Sequence, residues 1–212
     1  VRARYPDYRD SGVDWLGDIP AHWHVRRLKC CVSRSENRVD PEDGETMCYV
    51  GLEHVTSWTG CLVRLDDDFM PEGICNHFTA GEVLFSKLRP YLAKALCAEF
   101  DGLCSTEFLT LKPLVHNPRY LLFLLLTDGF ISFVDSSTYG ARMPRASWDF
   151  IGDMLLVVPP VGEQQAIAAF LDERTRRIDL LCERVETAIK RLEEYRTALV
   201  TAAVTGKIDV RE

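Results

Sequence analysis

Residues 161–206 read VGEQQAIAAFLDERTRRIDLLCERVETAIKRLEEYRTALVTAAVTG. Leu171, Ile178, Val185, Leu192 and Leu199 recur every seven residues, and Ile167, Leu181, Ala188, Tyr195 and Ala202 fall three after or four before them. That spacing is the a/d pattern of a helix with a single apolar seam, held over about five heptads. Arg177, Glu183, Arg184, Glu186, Lys190 and Glu194 fill outer positions, and neither Pro nor Gly interrupts the run between Gly162 and Gly206. At 1.5 Å per residue, about 40 residues of helix reach about 60 Å. A helix laid across residues 1–160 is one way to cover such a seam. The reading preferred here is a coiled coil. No second heptad segment of comparable length exists in the chain, so the partner helix is expected from another chain.

Upstream, Val157-Val158-Pro159-Pro160 marks a hinge, because two prolines neither continue a strand nor join a helix interior. The expected organisation is a domain over 1–160, a dimerisation helix over 161–205 and a tail over 206–212. The fold class is α+β: a β-rich mixed domain followed by a long C-terminal coiled-coil helix. Within the domain, Gly81 to Phe85 reads as a short apolar strand after a turn. Ala95 to Phe100, Asp101-Gly102 and Leu103 to Leu111 read as a hairpin, since Asp-Gly supplies the positive φ of a tight turn. Pro118 opens an apolar helix to about Thr127, ended by Asp128-Gly129. Ser147 caps a short turn at Trp148, and Met154 to Val158 is a closing strand.

The 212 residues are 47% hydrophobic and 27% charged, enough for a buried core without disulfides or metals. The longest apolar run, Tyr120 to Leu126, is far short of the roughly 18 residues a membrane helix needs, and no apolar segment follows the charged N-terminus. A cytoplasmic protein without a membrane partner is expected. The eight cysteines include no Cys-x-x-Cys pair and the five histidines are scattered, so no metal site is expected and the cysteines read as small buried apolar residues. Net charge is −7, with 16 Lys+Arg against 22 Asp+Glu before residue 161 and 9 against 10 after it. That balance excludes a sequence-independent polycation, which works by neutralising many phosphates.

Catalytic signatures are missing. There is no Gly-x-Gly, hence no dinucleotide or S-adenosylmethionine loop of the usual kind, and Gly206-Lys207-Ile208 is no P-loop. None of the six lysines follows an acidic residue by two positions, so the nuclease core is absent. No cofactor is expected. For an enzyme of another type, Glu53 or Glu107 beside a histidine would be the suspects. What remains is a binding surface. Lys87-Leu88-Arg89-Pro90-Tyr91-Leu92-Ala93-Lys94 interleaves cations with an aromatic, and the loop from Ser137 to Arg145 carries Tyr139, Arg142 and Arg145. Arg reads guanine bidentately, while hydroxyls and amides hold phosphates. Two solvated cationic loops are the plainer alternative.

The order of motifs adds to this. Tyr5-Pro6-Asp7-Tyr8 and the stretch from Ser11 to Trp23 come first, then Tyr49 to Val55, Gly81 to Leu92 and Cys104 to Phe108. Arg142 to Trp148, Pro159 to Gln165 and Thr205 to Arg211 follow. Over essentially its whole length the chain resembles the specificity subunits of type I restriction–modification systems. The resemblance implies a non-catalytic target-recognition subunit for double-stranded DNA. Methyltransferase subunits and a restriction subunit carry the chemistry, and antiparallel helices hold two recognition domains apart. The usual member has two domains and two helices; this chain has one of each, so the resemblance implies a half subunit, natural or truncated, that forms a homodimer. It also implies Lys87, Arg89, Tyr91, Lys94, Tyr139, Arg142 and Arg145 as DNA-facing. The expected dimer interface is Ile167, Leu171, Ile178, Leu181, Val185, Leu192, Tyr195 and Leu199.

Overall fold

A computed structural model describes residues 4–40, 47–63, 73–140 and 143–211. By contacts the chain forms two compact units, Val1–Ala168 and Ala169–Glu212.

The first unit is organised around an antiparallel sheet in the order β4 (Val32–Ser35), β11 (Phe108–Pro113), β8 (Val83–Ser86), β9 (Ala95–Cys97). Leu109 lies opposite Phe85, and Leu84 opposite Leu96. Strand side chains alternate between faces. Val83 and Phe85 therefore join one core with Leu121, Leu122 and Leu125, while Leu84 joins a second core with Val50 and Phe78. Both faces of β8 are covered, and all four of its residues are buried. This is why the strand reads as a continuous apolar run rather than an alternating one.

One face is packed by helices α1 (Pro118–Leu125), α2 (Asp128–Ser136) and α3 (Trp148–Asp153). The other packs on a second sheet in the order β5 (Arg38–Val39), β7 (Cys75–Phe78), β10 (Gly102–Cys104), β6 (Tyr49–Val50), where only β10 and β6 run parallel. Two small antiparallel pairs complete the unit: β1 (Tyr8–Asp10) with β2 (Asp18–Pro20), and β3 (His24–Arg27) with β12 (Leu155–Val158).

Local sequence explains where two of the helices start. The Asn117 side chain accepts from Tyr120 N at 3.1 Å ahead of Pro118, and Ser147 accepts from Phe150 N at 3.2 Å, so α1 and α3 start where a capping oxygen satisfies a free amide. Three expectations are corrected. Asp101-Gly102 is not a hairpin turn: β9 pairs with β8, whereas β10 enters the other sheet. Gly102 is needed for close approach, since a Cβ there would sit 2.6 Å from Cys48 O and 2.9 Å from the Phe78 ring. Asp128-Gly129 does not end a helical region but begins α2, and the bare Gly129 admits Trp15, whose ring lies 2.8 Å from where a Cβ would be. The cysteines are not uniformly buried either. Cys31, Cys75, Cys97 and Cys104 are; Cys30, Cys48, Cys61 and Cys182 are exposed.

Helix α4 (Val161–Val204) starts directly after Pro160. Its first two turns belong to the first unit, held by Gln164, which is fully buried. The Gln164 amide donates to Pro159 O at 2.8 Å and Val115 O at 3.1 Å, and its oxygen accepts from Asn117 N at 2.6 Å. No described helix is long and apolar enough to cross a membrane.

Candidate nucleic-acid interface

The loop after β8 is closed at its base, where Ser86 N donates to Lys94 O at 2.9 Å. Inside it, Arg89 and Ala93 both take left-handed backbone, at φ 48° and 46°, on either side of the 3-10 turn Pro90–Leu92. Each such residue costs about 1–2 kcal/mol, so surrounding contacts must hold the loop. They do: Ala93 is fully buried and its carbonyl accepts from Trp58 N at 3.1 Å.

The second loop is closed by paired backbone bonds between Tyr139 and Arg145, at 3.2 and 3.1 Å. The two loops, about fifty residues apart in sequence, meet through their backbones. Arg89 N donates to Pro144 O at 2.8 Å, Ala146 N donates to Lys87 O at 3.0 Å, and Leu88 bridges to Arg145. Glu107 sits at the junction. Its carbonyl accepts from Lys87 N at 3.0 Å, and its carboxylate takes three hydrogen bonds from Arg145, Nη2 to Oε1 at 2.7 Å and a shared Nε–H to Oε2 at 3.1 Å and Oε1 at 3.2 Å.

The expected site residues thus fall into groups. Lys87 and Arg89 are joined by backbone bonds to Ala146 and Pro144, on either side of Arg145, and carry no ion pair with a described residue; Arg89 is exposed. Tyr91 and Tyr139 present exposed rings, 46% and 64% accessible. Arg145 is held by Glu107, whose hydrogen bonds raise the guanidinium pKa still further. Lys94 Nζ donates to Leu52 O at 2.6 Å, so its charge supports the turn Leu52–His54. Arg142 lies outside the described residues.

Sequence reasoning missed a neighbouring cleft of 340 Å³ lined by Arg34, Ser35, Arg38, Asn76, Lys87 and Thr106 among others. Its strands, β4, β5, β7 and β11, lie far apart along the chain, and only the cationic residue types of β4 and β5 hinted at it.

Of the two carboxylates suspected of catalysis, Glu53 lies near a histidine and Glu107 does not. Glu107 has an arginine partner rather than a histidine, and Glu53 Oε1 is 3.9 Å from His54 Nε2 on an exposed side chain. Among the described residues no His/Cys/Asp/Glu group suits a metal. At the start of α4, Glu163 accepts from His22 Nε2 at 2.7 Å and Trp23 Nε1 at 3.0 Å. Burial raises its pKa, but these bonds and one with Tyr5 outweigh that and hold it ionised. The N-terminal motif and the Pro159 to Gln165 motif therefore meet.

On the second unit, Ile178, Leu181, Val185, Leu192, Tyr195 and Leu199 are 46–67% exposed, with Ile189 at 50% beside them. Leu171 is half-buried, and Ile167 packs on the core of the first unit.

No protein-family model matches the chain. Among curated proteins it is 22% identical to the EcoDI specificity subunit of an Escherichia coli type I restriction enzyme, over 91% of this chain and 44% of that one. It is 31% identical to the EcoBI specificity subunit over 44% of this chain and 19% of that protein. Among solved structures, one described as the structural basis of complex assembly and conformational transition of the type I R-M system matches with a TM-score of 0.73. It is 22% identical and covers 91% of this chain and 52% of that one. The HsdS subunit from Thermoanaerobacter tengcongensis matches with a TM-score of 0.60, at 23% identity over 87% and 46%. The fold is that of these proteins, and over 91% of its length the chain is similar in sequence to a type I restriction enzyme specificity subunit. It spans about half the length of the curated relatives it matches.

Proposed function

We propose that the chain is a non-catalytic DNA-recognition subunit that homodimerises through antiparallel helices, reads a two-part palindromic site and docks methyltransferase subunits. A restriction subunit joins the same complex in the cytoplasm. The observation that carries this reading is one fold containing two open surfaces: a joined pair of cation-bearing loops on the sheet domain, and a bare heptad seam on α4.

The seam supports a specific self-pairing. In antiparallel coils an a residue packs on a d residue. A two-fold axis between Glu186 and Thr187 sets Val185 on Ala188, Leu181 on Leu192, Ile178 on Tyr195, Leu199 on Arg174 and Leu171 on Ala202, matching larger with smaller apolar residues in three of the five layers. A shift of one heptad would place Leu199 against Ile167, which already packs on the core, or leave Leu171 facing residues past the helix end. In this register Cys182 of one copy lies beside Ile189 of the other.

A bismaleimide should therefore link the chain to itself once Ile189→Cys is added to a background with Cys30, Cys48 and Cys61 changed to Ser. Cys182 alone should not link, being about 13 Å off register along the axis; a link through Cys182 alone would indicate parallel helices.

The target is tested by mapping methylated adenines in cells carrying this subunit and its methyltransferase. A symmetric dimer presents one reading surface twice, so an interrupted palindrome is expected. Deleting residues 184–190 removes one heptad, about 10 Å of each helix, and should shorten the spacer by about three base pairs with both half-sites unchanged. An asymmetric or uninterrupted motif would contradict the symmetric dimer. If the chain is instead a coiled-coil module without a DNA role, no methylated motif will depend on it.

A further inference from the structure

We propose that the cleft between the two sheets holds the DNA backbone, with Arg38 and Lys87 gripping phosphates. This extends the contact surface beyond the two loops and rests on the DNA-recognition reading above.

Lys87 belongs to both places. Its backbone is bonded into the loop junction through Glu107 and Ala146, and the residue also lines the cleft, so the cleft continues the loop surface. Arg38 stands on the far wall, on β5, directly opposite Asn76 of β7 in the ladder. The cleft's cations are not equivalent. Arg34 is committed: it pairs with Glu36, and its guanidinium lies over the Trp148 ring at 5.4 Å. Asn76 spends one amide hydrogen on Phe108 O at 3.2 Å. Arg38 is exposed and Lys87 half-exposed, and neither has an ion pair with a described residue.

The occupant follows from chemistry and charge. In a chain of net charge −7, three cations share this cleft with Glu36 as the acidic lining residue. Hydroxyls of Ser35 and Thr106 add hydrogen-bond donors to the wall. Cations with hydroxyl donors suit phosphate oxygens. Unpaired cations suit them better than paired ones, because no internal salt bridge has to break. The same logic moves Lys94 and Arg145 from contact to support, since both already have partners.

The experiment uses the subunit assembled with its methyltransferase partners. Binding is measured by fluorescence anisotropy on a duplex carrying the methylated motif and on a scrambled duplex, between 50 and 200 mM salt. Arg38→Ala and Lys87→Ala should each weaken binding several-fold on both duplexes and lower the slope of log affinity against log salt by about one. Arg38→Lys should keep most of the affinity, and Lys112→Ala, on an exposed position of β11, should change nothing. Matching melting curves exclude misfolding. Unchanged affinity and slope in both alanine variants, with the wild type binding, would overturn the cleft and leave the DNA reading standing. Loss confined to the motif duplex would overturn the phosphate assignment in favour of base contact. Failure of the wild-type complex to bind either duplex would overturn both readings.

Discussion

Strand β8 and the middle of α4 are both rich in large apolar side chains, and their surroundings are opposite. Val83, Leu84 and Phe85 are at most 1% exposed, with helices on one face and a second sheet on the other. Ile178, Val185 and Leu192 are 57–67% exposed. The sheet domain closes its own core, whereas α4 presents a seam of the same chemistry that nothing in one copy covers. Stability of the first region is internal to the chain; in the proposed dimer, that of the second is a function of concentration.

The sharpest way to break this contrast is Val185→Asp with Leu192→Asp. In the proposed dimer four apolar side chains become four carboxylates, a loss of about 6 kcal/mol or more at 1.5–3 kcal/mol per side chain. Light scattering at micromolar concentration should find a dimer before and a monomer or aggregate after, with the sheet domain's unfolding midpoint unmoved. A wild-type monomer would remove the contrast altogether. The reverse perturbation, Phe85→Ala, should cost about 3–5 kcal/mol in denaturant unfolding of the sheet domain while α4 still dimerises.

A smaller effect comes from His116, buried against Tyr120, whose Nε2–H donates to Val157 O at 3.0 Å while Nδ1 has no partner. Burial lowers its pKa from 6.5, against the opposing hydrogen bond, so the folded state keeps it neutral. The unfolded chain then binds the proton first. Stability of the sheet domain should be full above pH 6.5 and fall as pH drops through the lowered folded pKa, by at most about 1.4 kcal/mol per pH unit. Chemical unfolding between pH 5 and 7.5 reads this slope, which His116→Phe should abolish. Smallest of all, the proposed register places Arg184 beside Arg191 of the second copy. Arg184→Glu turns two repulsions into attractions of about 0.2–1 kcal/mol each, and sedimentation should show a several-fold tighter dimer.

Sequence alone sufficed for α4, because five heptads and a Pro-Pro boundary are redundant local signals. It sufficed for β8 for the same reason. It failed at Asp101-Gly102, where the cue is local but the pairing is decided by the Cys48 carbonyl and the Phe78 ring. It failed at Asp128-Gly129, where a bare glycine serves Trp15, more than a hundred residues earlier. The cationic loops were legible as residue types. Which of their charges are available was not, because the partners of Lys94 and Arg145 lie 42 and 38 residues away. Arg38 gave almost no signal: it is a single cation on a two-residue strand, and its meaning comes from sharing a cleft with Lys87.

Under the proposed DNA-recognition role, the left-handed backbone at Arg89 and Ala93 has a kinetic consequence. A loop already bolted to Trp58, Pro144 and its own base has little to rearrange when a duplex arrives. Docking then requires no search through loop conformers, and association can run at the rate at which charge steering delivers the duplex. The selectivity of such a surface shows in how long a wrong sequence stays rather than in how often one is tried.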